Sequence, residues 1–392
     1  MDYTGLIQML LEDMESPAPS GAKRIIRFVD PRHYDQFEQT LQELKALHPD
    51  WPDLPTSRTL KSVMAPLSGS GRHLDPFKND IVIEEDCLVQ VHTLASKTSQ
   101  GPGIPYGVKQ IQAPKAWSTS TGYRIKIGVI DTGADYYHPD LRGSLAKGIN
   151  LLNRHMLPFD DNGHGTHIAG TIAAANGTEG MIGVAPRATI YPVKAFDHNG
   201  SAYVSDIIQG IDWCIRNRMH IINMSFGMKT RSKALLEVVN KAHAAGISIV
   251  ASSGNDGKRR NIDYPAKYPQ TISVGATDRH RRIASFSNRG EFIDIYAPGD
   301  KIISSWTQGK YHEMSGTSMA TSHVSGAIAL LLAQNPDLQP DEIKELLQLT
   351  ATPLKTRKGQ RRPAGGAEVN ALKLLREGMK RKNPNHKTKK RK

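Results

Sequence analysis

Cysteine is nearly missing from this chain of 392 residues, which has only Cys87 and Cys214. Two thiols cannot supply the disulfide framework that staples small secreted domains, so a packed core has to hold the fold. Also lacking is any apolar run long enough to cross a bilayer, which takes about 18 residues or more. The longest apolar run near the start, Leu6 to Leu11, has no basic flank ahead of it and is followed by Glu12, Asp13 and Glu15. It therefore does not read as a secretory signal, and a cytoplasmic location is expected. Negative charge is scarce at the other end. Between Lys373 and Lys392 stand ten Lys or Arg and one Glu, which is +9 of the formal +13. That tail carries no aromatic residues to stack on bases, so it reads as a solvated end rather than a nucleic-acid arm.

What is present fits a globular protein of two or three folding units: 38% apolar and 23% charged residues. Residues 1–22 end in SPAPSG and read as a flexible leader. Residues 23–97 read as a small α+β unit. A β-rich run RIIRFVD is followed by a helix that puts Phe37, Leu41, Leu44 and Leu47 on one face, and by extended runs at 60–65 and 80–91. A loop rich in Gly, Ser and Pro, 98–106, then marks a boundary. From Arg124 onward, short apolar strands (RIKIGVI, ATIYPVKA, HIINMS, GISIVAS, TISVGA) alternate with helix-length segments such as 203–218 and 232–245. Buried strands spaced by helical crossovers predict an α/β fold with a mostly parallel sheet sandwiched by helices over 98–376. Its active site belongs beyond the carboxyl ends of the strands. Residues 377–392 form the basic tail.

Three segments carry chemistry. In VIDTGADYYHPDL, Asp131 ends an apolar strand, where it either serves a reaction or caps a turn. In DDNGHGTHIAG, Gly163 and Gly165 flank His164 where a helix begins, leaving room for a backbone to pass close by. His164 and His167 as metal ligands is the rival reading. The spacing opposes it, because a helical zinc pair of the familiar kind is four apart with a Glu between, and His167 reads as a packing residue. In MSGTSMATSHVSGAIALLL, Ser318 stands at the amino end of an apolar helix, either as a cap or beside N–H groups that stabilise an oxyanion.

Taken together, DTG with Asp131, HGTH with His164 and GTSMA with Ser318 resemble the signatures of the subtilisin-like serine proteases, the subtilases. They occur in the order Asp, His, Ser that marks that clan. The likeness extends over roughly 106–349 and implies a serine endopeptidase that acts on proteins or peptides, acts as a monomer and needs no cofactor for catalysis. It assigns Asp131 to orienting His164, His164 to proton transfer, Ser318 to the acyl-enzyme and Asn255 to the oxyanion. It further assigns Ser225, Phe226 and Gly227 to an edge strand that pairs with substrate. Ser252, Ser253 and Gly254 become a wall of the pocket for the side chain before the cut bond, with large apolar side chains preferred. Ser322 departs from the proline usual in relatives.

The resemblance also implies a structural calcium held by Asp140 and the loop residues Ala175, Gly177, Glu179 and Met181. The α+β unit resembles the family's propeptide, an intramolecular inhibitor removed by self-cleavage between His92 and Gly103. A catalytically silent relative that serves as a binding protein is the alternative, and the presence of all three triad residues argues against it.

Overall fold

The computed structural model describes residues 1–15, 22–67, 72–94, 97–100, 103–177, 179–355 and 366–382. Its centre is a sheet of parallel strands ordered Ile295–Pro298, Thr271–Thr277, Ser248–Ser252, Ile221–Met224, Lys126–Asp131, Thr189–Lys194 and Ile149–Asn150. Each central strand is apolar on both sides because both faces are covered. Val129, Ile221 and Val250 point toward the helices His164–Ala173 and Thr317–Leu332. Ile130, Ile222 and Ile249 point to the other layer, Val204–Arg216 and Lys233–Ala244. The first strand of the sheet, Lys126–Asp131, lies inside it, so the chain builds outward on both sides. The carboxyl ends of the inner strands deliver Asp131, Ser225 and Ser252 to one rim.

The N-terminal unit is a four-stranded antiparallel sheet, Thr56–Ser57, Ser62–Leu67, Ala22–Phe28 and Ile81–Glu85, under two helices. One helix, Tyr3–Glu15, lies where a flexible leader is expected from the sequence. Leu6, Ile7, Leu10 and Leu11 recur at helical spacing and are buried with Ile26, Phe28 and Val63. Residues 16–21, with the Pro- and Ser-rich stretch, lie outside the described residues. In the helix Pro31–Leu47 the buried face is Tyr34 and Phe37, with Leu41 and Leu44 partly covered. Leu47, placed on that face by its spacing, is 73% exposed because the helix ends there.

The other side of this sheet rests on the larger unit, where Ile25, Leu60 and Met64 join the apolar cluster of Ile211 and Val239. Two carboxylates reach across to helix amino ends, where free N–H groups and the helix dipole favour an anion. Glu84 accepts from Ser232 Oγ and from the Ala234 N–H (3.1 Å), and Asp86 accepts from the Ser205 N–H (2.8 Å). Of the run 80–91, the part Leu88–Val91 leaves the sheet and pairs with the larger unit instead. Lys97–Ser99 also pairs there, with Tyr311–Glu313.

At the carboxyl end, Ala367–Glu368 is a strand and Ala371–Lys382 a helix with Leu374 and Leu375 buried, and this helix runs on through 377–382, the first six residues of the expected tail. Residues 383–392 lie outside the described residues. Cys87 and Cys214 are both free thiols, and burial pushes the Cys214 thiol up. No helix among the described residues is long and apolar enough to cross a membrane.

Candidate active site

Asp131 is the last residue of its strand and fully buried; its Oδ1 accepts from the Thr132 N–H at 2.8 Å and lies 2.6 Å from His164 Nδ1. The turn that follows needs Gly133, at φ 113°, because a side chain there would run into the backbone at Pro158 and Phe159. Gly163, at φ 110°, opens the helix that begins with His164, and a Cβ on it would collide with the Trp306 indole.

One residue that the sequence reading passed over ties these turns together. Asp160 accepts from Thr132 Oγ1 (2.8 Å), the Gly163 N–H (2.8 Å), the Thr166 N–H (2.8 Å) and Thr166 Oγ1 (2.6 Å). With the Asn162 N–H (3.0 Å) as a fifth donor, this carboxylate fixes the Asp131 turn relative to the first turn of the His164 helix. The signal for it was in the sequence: the pair Asp160 and Asp161 followed by Asn-Gly ahead of a helix start. His167 is a packing residue, buried with Nε2 3.0 Å from the Ile302 carbonyl, and desolvation pushes its pKa down to about 3.

Ser318 is the second residue of the helix Thr317–Leu332, so its N–H is among the first four that no helical carbonyl takes. Its hydroxyl donates to the Ser225 carbonyl at 2.7 Å, while His164 Nε2 is buried without a hydrogen-bond partner among the described residues. Asn255 turns its oxygen to the Thr317 N–H and Thr317 Oγ1, both at 2.9 Å. That leaves Asn255 Nδ2 buried and without an acceptor among the described residues, beside Gly316. The structure thus brings an acid–imidazole pair, a hydroxyl and an unused amide donor to one rim. Ser322, in place of the usual proline, donates to the Met319 carbonyl at 2.7 Å within the helix.

The groove beside them is filled by the chain itself. Leu88–Val91 lies between Ser201–Tyr203 and Phe226–Gly227, antiparallel to both, with Phe226 opposite Val91 and Gly227 opposite Gln90. The next N–H, of His92, donates to the Ser225 carbonyl at 3.1 Å. Ser252 faces the pocket at that point through its hydroxyl, and Ser252, Ser253 and Gly254 are all buried. The expectation of an apolar slot is not met. Asp263, which the sequence reading did not single out, turns a carboxylate buried to 4% exposure into the pocket and accepts from Lys229 Nζ at 2.6 Å. Burial alone would lower the Lys229 pKa, but its bonds to Asp256 and Asp263 raise it, and Lys229 in turn holds the Asp256 carboxyl down.

Among the residues expected to hold calcium, Asp140 brings the one buried carboxylate, and its Oδ1 has no hydrogen-bond partner among the described residues. Asp140 Oδ2 accepts from Tyr311 OH (2.9 Å) and the Met181 N–H (3.2 Å). The Met181, Asn176 and Gly180 carbonyls accept from the N–H groups of Asn176, Gly180 and Gly103. Ala175 and Gly177 bring no carboxylate and Glu179 is exposed. A calcium ion takes six to eight oxygens; Asp140 Oδ1 and the second lone pairs of these carbonyls are compatible with that, whereas Gly177 offers no side-chain oxygen. Among the described residues no group of three or more acidic, His or Cys side chains is placed to hold a metal.

Comparison with known proteins agrees with this geometry. The model of the subtilase family matches residues 122–370. Subtilisin E of Bacillus subtilis is 46% identical over 254 residues, which is 64% of this chain and 66% of that protein. The subtilisin of Bacillus pumilus is 45% identical over 254 residues, 64% of this chain and 92% of its own length. An alkaline protease of Shouchella clausii is 39% identical over 335 residues, 85% of this chain and 82% of that protein. A match of that length extends into the N-terminal unit.

Proposed function

The chain belongs to the subtilase family, and on that premise we propose that it is a serine endopeptidase made as a precursor whose N-terminal unit occupies its own cleft until it is cut away. The observation that carries this reading is the strand Leu88–Val91, held antiparallel on both sides and ending beside Ser318. An extended peptide bound as an added strand is how a protease groove holds substrate backbone.

The mechanism follows from the groups at the rim. Asp131 holds His164 through Nδ1–H, which leaves Nε2 as the lone-pair nitrogen that accepts a proton. Ser318 gives its proton to Nε2 as Oγ attacks the substrate carbonyl, and His164 returns that proton to the leaving amine. Negative charge on the carbonyl oxygen is met by Asn255 Nδ2 and the Ser318 N–H. Their dipoles are already oriented and need no reorganisation. No metal enters any step.

The reading is tested with the purified chain: its 43.1 kDa form should shorten by roughly its first hundred residues. It should also digest unfolded casein and be blocked by phenylmethylsulfonyl fluoride. A chain that neither shortens nor digests overturns it. Asn255→Ala should lower kcat by about 10²–10³ with KM nearly unchanged, the loss known for the matching Asn of subtilisin itself. An equal fall in substrate binding would instead make Asn255 a binding residue. Glu84→Ala, in a chain kept uncut by Ser318→Ala, should lose about 1 kcal/mol of stability by removing an anion from a helix amino end. An unchanged urea midpoint would mean that the contact adds nothing.

A further inference from the structure

The groove strand continues past its last ladder pair into the site, where the Thr93 N–H turns back to donate to the Val91 carbonyl at 3.2 Å. The Ser225 carbonyl accepts from both the His92 N–H (3.1 Å) and Ser318 Oγ (2.7 Å), so the nucleophile and the His92 backbone share one acceptor. A Cβ on Gly316 would collide with the His92 carbonyl oxygen and stand 3.2 Å from Asn255 Nδ2. The carbonyl of His92 and the Asn255 amide donor, which is buried without an acceptor among the described residues, therefore lie on the same side of Gly316. Beyond Thr93, the Leu94 N–H donates to the Ser315 carbonyl at 2.9 Å, which fixes the chain on the leaving side.

The His92 ring fills the pocket. Its Nδ1 is 2.7 Å from Ser252 Oγ and its Nε2 2.9 Å from Asp263 Oδ2, and the side chain is 10% exposed. A Cβ on Gly227 would meet the imidazole, so glycine is needed there to admit it. Lys229 sits between Asp256 and Asp263 and is bonded to both carboxylates. Lys258 acts on Asp256 from the far side. An apolar side chain in this pocket would leave Asp263 Oδ2 buried without its partner and a glutamate would bring like charge against it, whereas the imidazole meets Ser252 Oγ and Asp263 Oδ2 with its two ring nitrogens.

We propose that Asp263 makes this pocket selective for histidine before the cut bond, and that His92–Thr93 is the bond the precursor cuts in itself. The proposal rests on the endopeptidase reading. In the step, Ser318 Oγ forms an ester with the His92 carbonyl carbon, the bond to the Thr93 nitrogen breaks, and the Ser318 proton passes through His164 to the Thr93 amine. Water then hydrolyses the ester to leave a carboxylate on His92.

The test uses acetyl-Val-Gln-Val-X p-nitroanilides, copying residues 89–91, with X as His, Phe, Lys or Glu, and the self-cut wild type. Histidine should exceed phenylalanine in kcat/KM by at least about tenfold, and Asp263→Asn should lower that ratio by about the same factor. The first new N-terminus of the wild-type precursor should be Thr93, and His92→Phe should slow the shortening by about tenfold. The last two readings do not depend on the folding of the Asp263 variant. A first cut elsewhere, a His-to-Phe ratio near one, or a ratio unchanged in Asp263→Asn overturns the pocket assignment while casein digestion upholds the endopeptidase reading. A wild type that cuts neither casein nor any peptide overturns both.

Discussion

Ser318→Ala is expected to leave the chain at its full 43.1 kDa after prolonged incubation and to reduce hydrolysis of unfolded casein by about 10⁶-fold, the loss known for the matching serine of subtilisin itself. The substitution removes one oxygen from a buried position and one donor from the Ser225 carbonyl, which keeps its bond from the His92 N–H. The fold therefore has little reason to change, and the loss reads on chemistry. Intact mass and casein digestion measured on the same preparation separate the outcomes. A variant that shortens as fast as wild type would mean that Ser318 is not the nucleophile of the cut. A variant that stays whole yet digests casein would mean that the two reactions use different groups.

The second large effect belongs to Asp131→Asn, for which kcat should fall by about 10⁴-fold, the size of loss that a neutral amide causes at this place in a triad. Asp131 and His164 are both fully buried. When His164 takes the Ser318 proton it becomes a cation out of contact with water, and Asp131, 2.6 Å away, is its counter-charge. A buried charge stripped of its partner is costly by several kcal/mol, and that cost falls on the step in which the imidazolium forms. Asparagine has the same shape and can still hold Nδ1–H and the Thr132 N–H, so substrate binding should change little. Measuring kcat and KM separately decides the point: a loss under tenfold would remove Asp131 from the mechanism, and a loss confined to KM would make it part of the groove.

Where the sequence misled, the reason lies in contacts between distant segments. The helix Tyr3–Glu15 shows its apolar spacing in six residues, but a Pro- and Ser-rich neighbour made that stretch look unstructured; its burial depends on the sheet strands at 22–28 and 62–67. The HPDL aspartate and the loop 175–181 follow a calcium pattern. In space, Tyr311, 171 residues from Asp140, bonds one oxygen of that carboxylate and leaves the other without a partner among the described residues, an arrangement no local pattern shows. Small residues at 252–254 suggested a roomy apolar pocket, whereas Asp263 supplies its polarity from another loop.

By itself the sequence determined the alternation of buried strands and helices, and with it the α/β sheet. It also pointed to the rim residues, through the likeness of the stretches around Asp131, His164 and Ser318, taken together, to the subtilase signatures, whereas each stretch alone left a turn or helix cap open. Tertiary structure alone decided what those residues face. Pairing of Leu88–Val91 with two strands more than a hundred residues later sets a register, and in an antiparallel ladder a slip of one residue turns every side chain to the opposite face. That register brings His92, rather than Val91 or Thr93, to Asp263. No local pattern encodes it, since it is fixed only when the N-terminal sheet, the groove strands and the pocket loop pack together.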